Sequence, residues 1–218
     1  MTGCPGAPEE KLELTSCAAR SLAAIPLVCA LAASAGAEET PRQVVDRINA
    51  VLIEVMRDAR ALGFDGRYKR LAPVLTQTFN FPFMARVIAG QFWKDFGAAQ
   101  QERLIDAFAR ISIATFAARF DSHSGELFEV LGQRPAMRES VMVENRLVKS
   151  SGEIVSINYL LRKFDGAWRV ADVFLDGKYS ELAIKRSEYG SILRRGGVEA
   201  LLRRLEDKVA ELKAKSRN

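Results

Sequence analysis

Residues 155–175 have the sequence VSINYLLRKFDGAWRVADVFL, and this stretch decides the fold class. Its first half alternates apolar and polar side chains, the apolar ones being Val155, Ile157, Tyr159 and Leu161. A period of two residues predicts a β-strand with one buried face. Asp165-Gly166 is a strong hairpin signal, because both central positions of the favoured turn need a positive φ. We therefore expect Trp168–Leu175 to form the next, antiparallel strand.

Two more strands are predicted before this hairpin. Val141, Val143 and Leu147 alternate with polar residues, and residues 126–133 suit a further strand. Because all four follow one another with short links, they are expected to form an antiparallel meander.

Helices are expected both before and after the strands along the chain. Apolar residues recur at helical spacing over residues 41–63, 67–78, 81–90, 99–119, 179–195 and 198–212. Thr40-Pro41 supplies an N-cap and a proline for the first helical position, and Gly196-Gly197 separates the last two helices. The predicted fold class is α+β, with helices packed on a twisted antiparallel sheet of about four strands.

Aromatic residues are concentrated just before the sheet. Nine of the 18 Phe, Trp and Tyr residues lie between Phe79 and Phe120. Spacing alone favours a packed core. Short helices rich in Phe and Met, bent at prolines and facing a twisted sheet, can instead leave an apolar cavity between the two layers. Both interpretations stay open at this point.

The first 37 residues are expected to be a signal peptide. Arg20 precedes a 12-residue apolar run, Leu22–Ala33, and an Ala-x-Ala cleavage site that ends at Ala37. The run is too short to cross a membrane, which takes about 20 residues. The folded domain is then residues 38–218, exported to the periplasm. All three Cys residues lie in this leader, so the mature domain is expected to fold without a disulfide.

Composition excludes several functional classes. The chain is 48% hydrophobic and 27% charged, which fits neither a disordered chain nor a protein with several membrane spans. A single histidine, His123, excludes metal sites that need two. Phosphate-binding glycine loops and the nucleophile elbow are missing from the sequence. We expect no cofactor and no nucleic-acid partner, and the net charge of +5 suits anionic lipid headgroups or an acidic partner.

Asp172 allows two interpretations. Strict alternation places it on the same strand face as Trp168, Val170 and Phe174, where a carboxylate is costly unless it is paired. It could be an acid of raised pKa in a cavity, which would make the protein a small isomerase or dehydratase. It could equally be a salt-bridged residue or a helix cap at the sheet edge.

Two segments resemble a known family. One is the run FPFMAR at residues 81–86 with Gly90 and Trp93, and the other is FDGAWRVADV at residues 164–173. Both are similar to segments of the MlaC/toluene-tolerance family, and the resemblance extends from Pro41 to Leu212. It implies a non-enzymatic periplasmic carrier that holds the tails of a phospholipid in a cavity between sheet and helices. The implied partners are an inner-membrane lipid transporter and an outer-membrane acceptor.

One branch of the family is more similar still. Residues 176–183, 186–189 and 192–197 resemble the tail of the members associated with hopanoid biosynthesis. This likeness implies a hopanoid, or a phospholipid handled alongside hopanoids, as cargo. It also implies an RND-type rather than an ABC-type membrane partner.

The predicted lipid-contacting residues lie on the inward faces of the expected helices and strands. They are Phe83, Val87, Phe92, Ile111, Phe116, Val143, Ile157, Tyr159, Leu161, Val170 and Phe174. Arg86 could approach a phosphate headgroup at the mouth of the cavity, or could form an ion pair with Asp172. For each apolar position, plain core is an equal alternative. A third reading of the whole chain is an interaction module of a lipid-transport assembly that binds protein and no lipid.

Overall fold

The structure, a computed structural model, describes residues 38–216. The predicted signal peptide, residues 1–37, lies outside the described residues. In chain order the elements are α1 (Pro41–Arg57), α2 (Ala59–Thr78), α3 (Phe81–Ala89), a 3₁₀ helix (Gly90–Asp95), α4 (Ala98–Arg119), β1 (Leu127–Ala136), β2 (Ser140–Val148), β3 (Ile154–Phe164), β4 (Ala167–Leu175), β5 (Tyr179–Ser180) and α5 (Glu181–Lys215). None of the helices in this range has both the length and the apolar character that a membrane crossing requires.

The sheet is an antiparallel meander in the order β1-β2-β3-β4-β5. Its four long strands agree with the predicted α+β class and strand pairing. The two-residue β5 is an addition, because the helix predicted from residue 179 begins only at Glu181, after Ser180 has capped it by accepting from the Ala183 N–H. Across the centre of the sheet, Val143 lies opposite Tyr159, which lies opposite Val173.

The N-terminal helices begin as predicted and divide earlier than predicted. The Thr40 side chain accepts from the Gln43 N–H while the Gln43 side chain accepts from the Thr40 N–H, a reciprocal cap of α1. The expected single helix to Gly63 is instead divided at Asp58. Gly63 then has a φ of 58°, a conformation that favours glycine, and bends α2 within its first turns.

The last helix consists of two arms. The expected break between two helices is present as a single non-helical residue, Gly197, with a φ of 66°. We call residues 181–196 the first arm and residues 198–215 the second arm. Both arms bury apolar side chains, Leu182 and Tyr189 from the first and Leu201 and Leu205 from the second.

A bulge in β4 changes which side chains face the helices. Leu161 pairs with Val170 whereas Leu160 pairs with Asp172, so Ala171 is an extra residue. The bulge adjoins the point where the Asn80 N–H donates to the Val170 carbonyl at 2.9 Å. Since neighbouring residues of β3 face opposite sides, Asp172 and Val170 also do. The prediction that Asp172 and Phe174 share a face with Val170 is therefore wrong.

Candidate functional site

A cavity of about 600 Å³ lies between one end of the sheet, α4 and both arms of α5. Its apolar wall consists of Phe79, Met84, Phe108, Ile111, Phe116, Phe120, Leu147, Val155, Ile157, Val173, Leu175, Leu182, Tyr189, Leu205 and Leu212. Its polar wall consists of Ser112, Thr115, Arg119, Asp176, Glu181, Lys185, Glu188, Arg204 and Lys208.

The sheet contributes to the cavity only at one end, where Leu147 pairs with Val155 and Ile157 pairs with Leu175. Further along the same face, the helices pack directly on the strands and leave no exposed surface on Tyr159 or Leu161. The cavity thus begins where this helical cover ends.

Three of the eleven predicted contact residues line the cavity: Ile111, Phe116 and Ile157. Ile111 and Phe116 come from α4, and Ile157 comes from β3. The cavity lies between α4 and the sheet, which is why residues of both elements contribute to its wall.

The other predicted contacts lie away from this wall. Four strand residues are completely buried in the core: Val143, Tyr159, Leu161 and Val170. Three helical residues are half-buried and pack against the core: Phe83, Val87 and Phe92. The Phe83 ring lies 5.3 Å from the ring of Phe164, centroid to centroid. Phe174 is turned from the wall by the β4 bulge, and Val173 and Leu175 take its place.

Arg86, the predicted headgroup residue, is exposed and does not line the cavity. Among residues 38–216 Arg86 forms no ion pair with Asp172, and its contact with a phosphate stays a prediction. The carboxylate of Asp172 has other partners, described below.

Sequence reasoning missed most of the helical wall. Phe108, Leu205 and Leu212 lie on apolar stripes that periodicity identifies, but a stripe does not say whether it meets a core or a void. Met84 follows the predicted Phe83 on α3 and faces the cavity instead of it, and Phe79 lines the cavity from the extended residue that ends α2.

Charged side chains form a rim around the cavity. Lys185 lies 3.4 Å from the Glu188 carboxylate, and Glu211 pairs with both Arg204 at 3.1 Å and Lys208 at 2.9 Å. The hydrogen bond from Lys208 and the nearby Arg204 charge hold the pKa of Glu211 below its ordinary value. The rim cations on α5 are therefore largely neutralised by acids of the same helix.

Asp172 caps the start of α5. Its Oδ1 accepts from the N–H of Val173 at 2.7 Å and of Leu182 at 3.2 Å, and its Oδ2 accepts from the Ser180 hydroxyl at 2.5 Å. Asp172 is 8% exposed and does not line the cavity. Burial raises the pKa of Asp172 above the ordinary value of 3.8, against the opposing effect of these three hydrogen bonds. Of the two interpretations, the helix cap agrees with this geometry.

The raised pKa of Asp172 predicts a pH effect on stability. A carboxyl that holds its proton more tightly when folded contributes most below about pH 4, and this contribution is lost as pH rises through the folded-state pKa. Asp172→Asn keeps an oxygen acceptor for the Leu182 N–H and does not titrate. We expect its stability relative to the wild type to increase between about pH 4 and about pH 8 in urea unfolding. A relative decrease over this range would contradict the assignment.

Within residues 38–216, no group of three or more His, Cys, Asp or Glu side chains is arranged to hold a metal ion.

Comparison with known proteins agrees with this architecture. The profile of the MlaC protein family matches residues 46–207. The solved structure of the phospholipid-binding protein from Ralstonia solanacearum, in complex with a phospholipid, matches with a TM-score of 0.67. The two chains are 21% identical, and the match covers 78% of this chain and 95% of the other. At that identity the likeness shows a shared fold. No curated protein has significant similarity to the chain. Because the family profile spans most of the folded domain, the chain belongs to the MlaC family.

Proposed function

We propose that this protein is a periplasmic lipid carrier, which shuttles phospholipid or hopanoid between the inner and outer membranes without chemical change. The observation that carries the proposal is the cavity of about 600 Å³ between the sheet, α4 and α5, with its predominantly apolar wall. Its volume falls within the range of about 300–1,000 Å³ that ligand sites occupy.

The chemistry of the wall suits a hydrocarbon guest. Each methylene removed from water contributes about 0.8 kcal/mol, so a cavity that covers a tail gains affinity in proportion to the length it shelters. The rings of Phe79, Phe108 and Phe116 line the cavity and present apolar surface that requires no directional bonds. A membrane lipid is held by such a surface in any of several positions.

The choice between the two lipid classes is open to experiment. The related Ralstonia solanacearum protein binds a phospholipid, which favours phospholipid as cargo. The segments that resemble the hopanoid-associated branch include Asp176, Glu181, Leu182, Glu188 and Tyr189, all of which line the cavity. The proposed partners are an ABC- or RND-type inner-membrane transporter and an outer-membrane acceptor, with export directed by a signal peptide that is cleaved near Ala37.

Two alternatives fit the geometry less well. An isomerase or dehydratase that uses Asp172 needs that carboxylate in the pocket, and it instead caps α5 outside the cavity wall. If the protein were an interaction module without a ligand, we would expect its apolar side chains to pack without a cavity, and the cavity of about 600 Å³ argues against this.

Organic extraction of the purified protein followed by mass spectrometry tests the proposal. The protein should be made in hosts with and without hopanoids, so that both lipid classes are offered. We expect about one lipid per protein chain, and no lipid in the extract of a washed, unrelated periplasmic protein prepared in parallel. Recovery of protein without lipid from both hosts would reject the carrier function.

A further inference from the structure

Along its cavity side, α4 carries a polar stripe beside its apolar one. Ser112, Thr115 and Arg119 line the cavity at spacings of three and four residues, so they share one face of the helix. The Ser112 hydroxyl donates to the Phe108 carbonyl at 2.7 Å, and the Thr115 hydroxyl donates to the Ile111 carbonyl at 2.8 Å. Both hydroxyl protons are thus used within the helix, and the stripe ends at a donor group, the Arg119 guanidinium, for which residues 38–216 provide no recorded acceptor.

Arg119 marks the mouth of the cavity, because its side chain lines the cavity and is also exposed to solvent. It differs from the other three cations of the rim in whether a carboxylate lies within ion-pair distance. Lys185, Arg204 and Lys208 each have a carboxylate partner. Within the described part of the chain, Arg119 has no acidic group within ion-pair distance.

We propose that Arg119 binds the phosphate group of the lipid cargo and makes the cavity selective for phosphorylated lipids. This inference rests on the proposed carrier function and narrows its cargo. A guanidinium presents its donors in a planar fork that matches two phosphate oxygens at once. A tail in the apolar part of the cavity leaves its headgroup at the mouth, where this fork is available. The other rim cations would first have to separate from Glu188 or Glu211.

The test compares two ligands that differ only in phosphate, dioctanoyl phosphatidic acid and dioctanoylglycerol. Binding of each to the delipidated mature protein is measured by calorimetry for the wild type, Arg119→Gln and Arg119→Lys. We expect Arg119→Gln to bind the phosphatidic acid about tenfold more weakly, since a hydrogen-bonded charge pair is lost. Its affinity for dioctanoylglycerol should be unchanged. Arg119→Lys should be intermediate, because it retains the charge and loses the fork.

Arg110→Gln is the matched control. Arg110 lies on the same helix and does not line this cavity, and its substitution removes the same positive charge. It should bind both ligands as the wild type does. An equal loss of both ligands in Arg119→Gln, or no loss of either, would overturn the assignment while leaving the carrier function intact. A wild type that binds neither ligand would overturn both a glycerolipid cargo and this assignment, whereas the carrier function itself is tested by the lipid extracted from the two hosts.

Inorganic phosphate distinguishes a lipid headgroup from a free anion. Added alone to the wild type, it should give no binding heat that depends on Arg119. If it binds to the wild type and not to Arg119→Gln, the guanidinium serves free phosphate and the lipid assignment is overturned.

Discussion

Ser112→Trp is expected to weaken lipid binding by about a hundredfold, the largest functional effect of any single change considered for this protein. Ser112 lies on α4 and is half-buried on the cavity wall. An indole ring at this position would fill space that the tail needs. If it displaces roughly four methylenes at about 0.8 kcal/mol each, about 3 kcal/mol of binding free energy is lost.

The change should leave the fold intact, because Ser112 faces a void and its hydroxyl bonds only to its own helix, at the Phe108 carbonyl. Binding is measured by extraction of bound lipid and by calorimetry with dioctanoylglycerol, and folding by the urea midpoint. Ala99→Trp is the matched control, an exposed position in the first turn of the same helix. If Ser112→Trp carries as much lipid as Ala99→Trp, the guest does not occupy this cavity.

Arg67→Ala is expected to lower the free energy of unfolding by about 3 kcal/mol, because it leaves two buried carbonyls without their donor at about 1–3 kcal/mol each. Arg67 is 3% exposed. Its Nε donates to the Ala117 carbonyl at 2.8 Å, and its NH1 donates to the Ala59 carbonyl at 2.9 Å. Burial lowers the pKa of Arg67 from its ordinary value, although Asp121 opposes this. The guanidinium thus links the first residue of α2 to the last turns of α4 through the carbonyls of two buried residues.

Arg70→Ala provides the comparison. Arg70 lies one turn further along α2, and its exposed guanidinium is 3.2 Å from the Glu54 carboxylate. An exposed ion pair of this kind contributes about 0–1 kcal/mol. Urea unfolding of both variants should separate them clearly. Equal midpoints would show that the Arg67 hydrogen bonds add nothing to stability beyond an exposed pair.

The secondary structure could be predicted where a short sequence signal, such as alternation, a turn dipeptide or a glycine, was sufficient to determine it. Alternation from Val155 to Leu161 identified β3, and Asp165-Gly166 located the hairpin, where Asp165 has a φ of 50°. The break at Gly197 followed in the same way from the freedom of glycine. Each of these signals acts within a few residues, so no tertiary contact was needed to read it.

The cavity wall was predicted less completely, because burial is not a local property. Val143 and Ile157 carry the same alternation signal, yet helices cover Val143 completely and leave Ile157 at the cavity. Phe174 was assigned to the wrong face because strict alternation cannot anticipate the extra residue Ala171. The sequence named Arg86 as the headgroup candidate, whereas the structure places Arg119 and not Arg86 at the cavity wall, which depends on how each helix is rotated in the fold.

The amino-acid pattern alone was sufficient for the α+β class, the order of the meander and the family, since these depend on periodicity, turn residues and motifs within short windows. Which apolar faces meet each other, and which meet an opening of about 600 Å³, was decided by the packing of α4 and the two arms of α5 over one end of the sheet. That outcome depends on contacts between residues far apart in the chain, where side-chain volume and helix rotation act together.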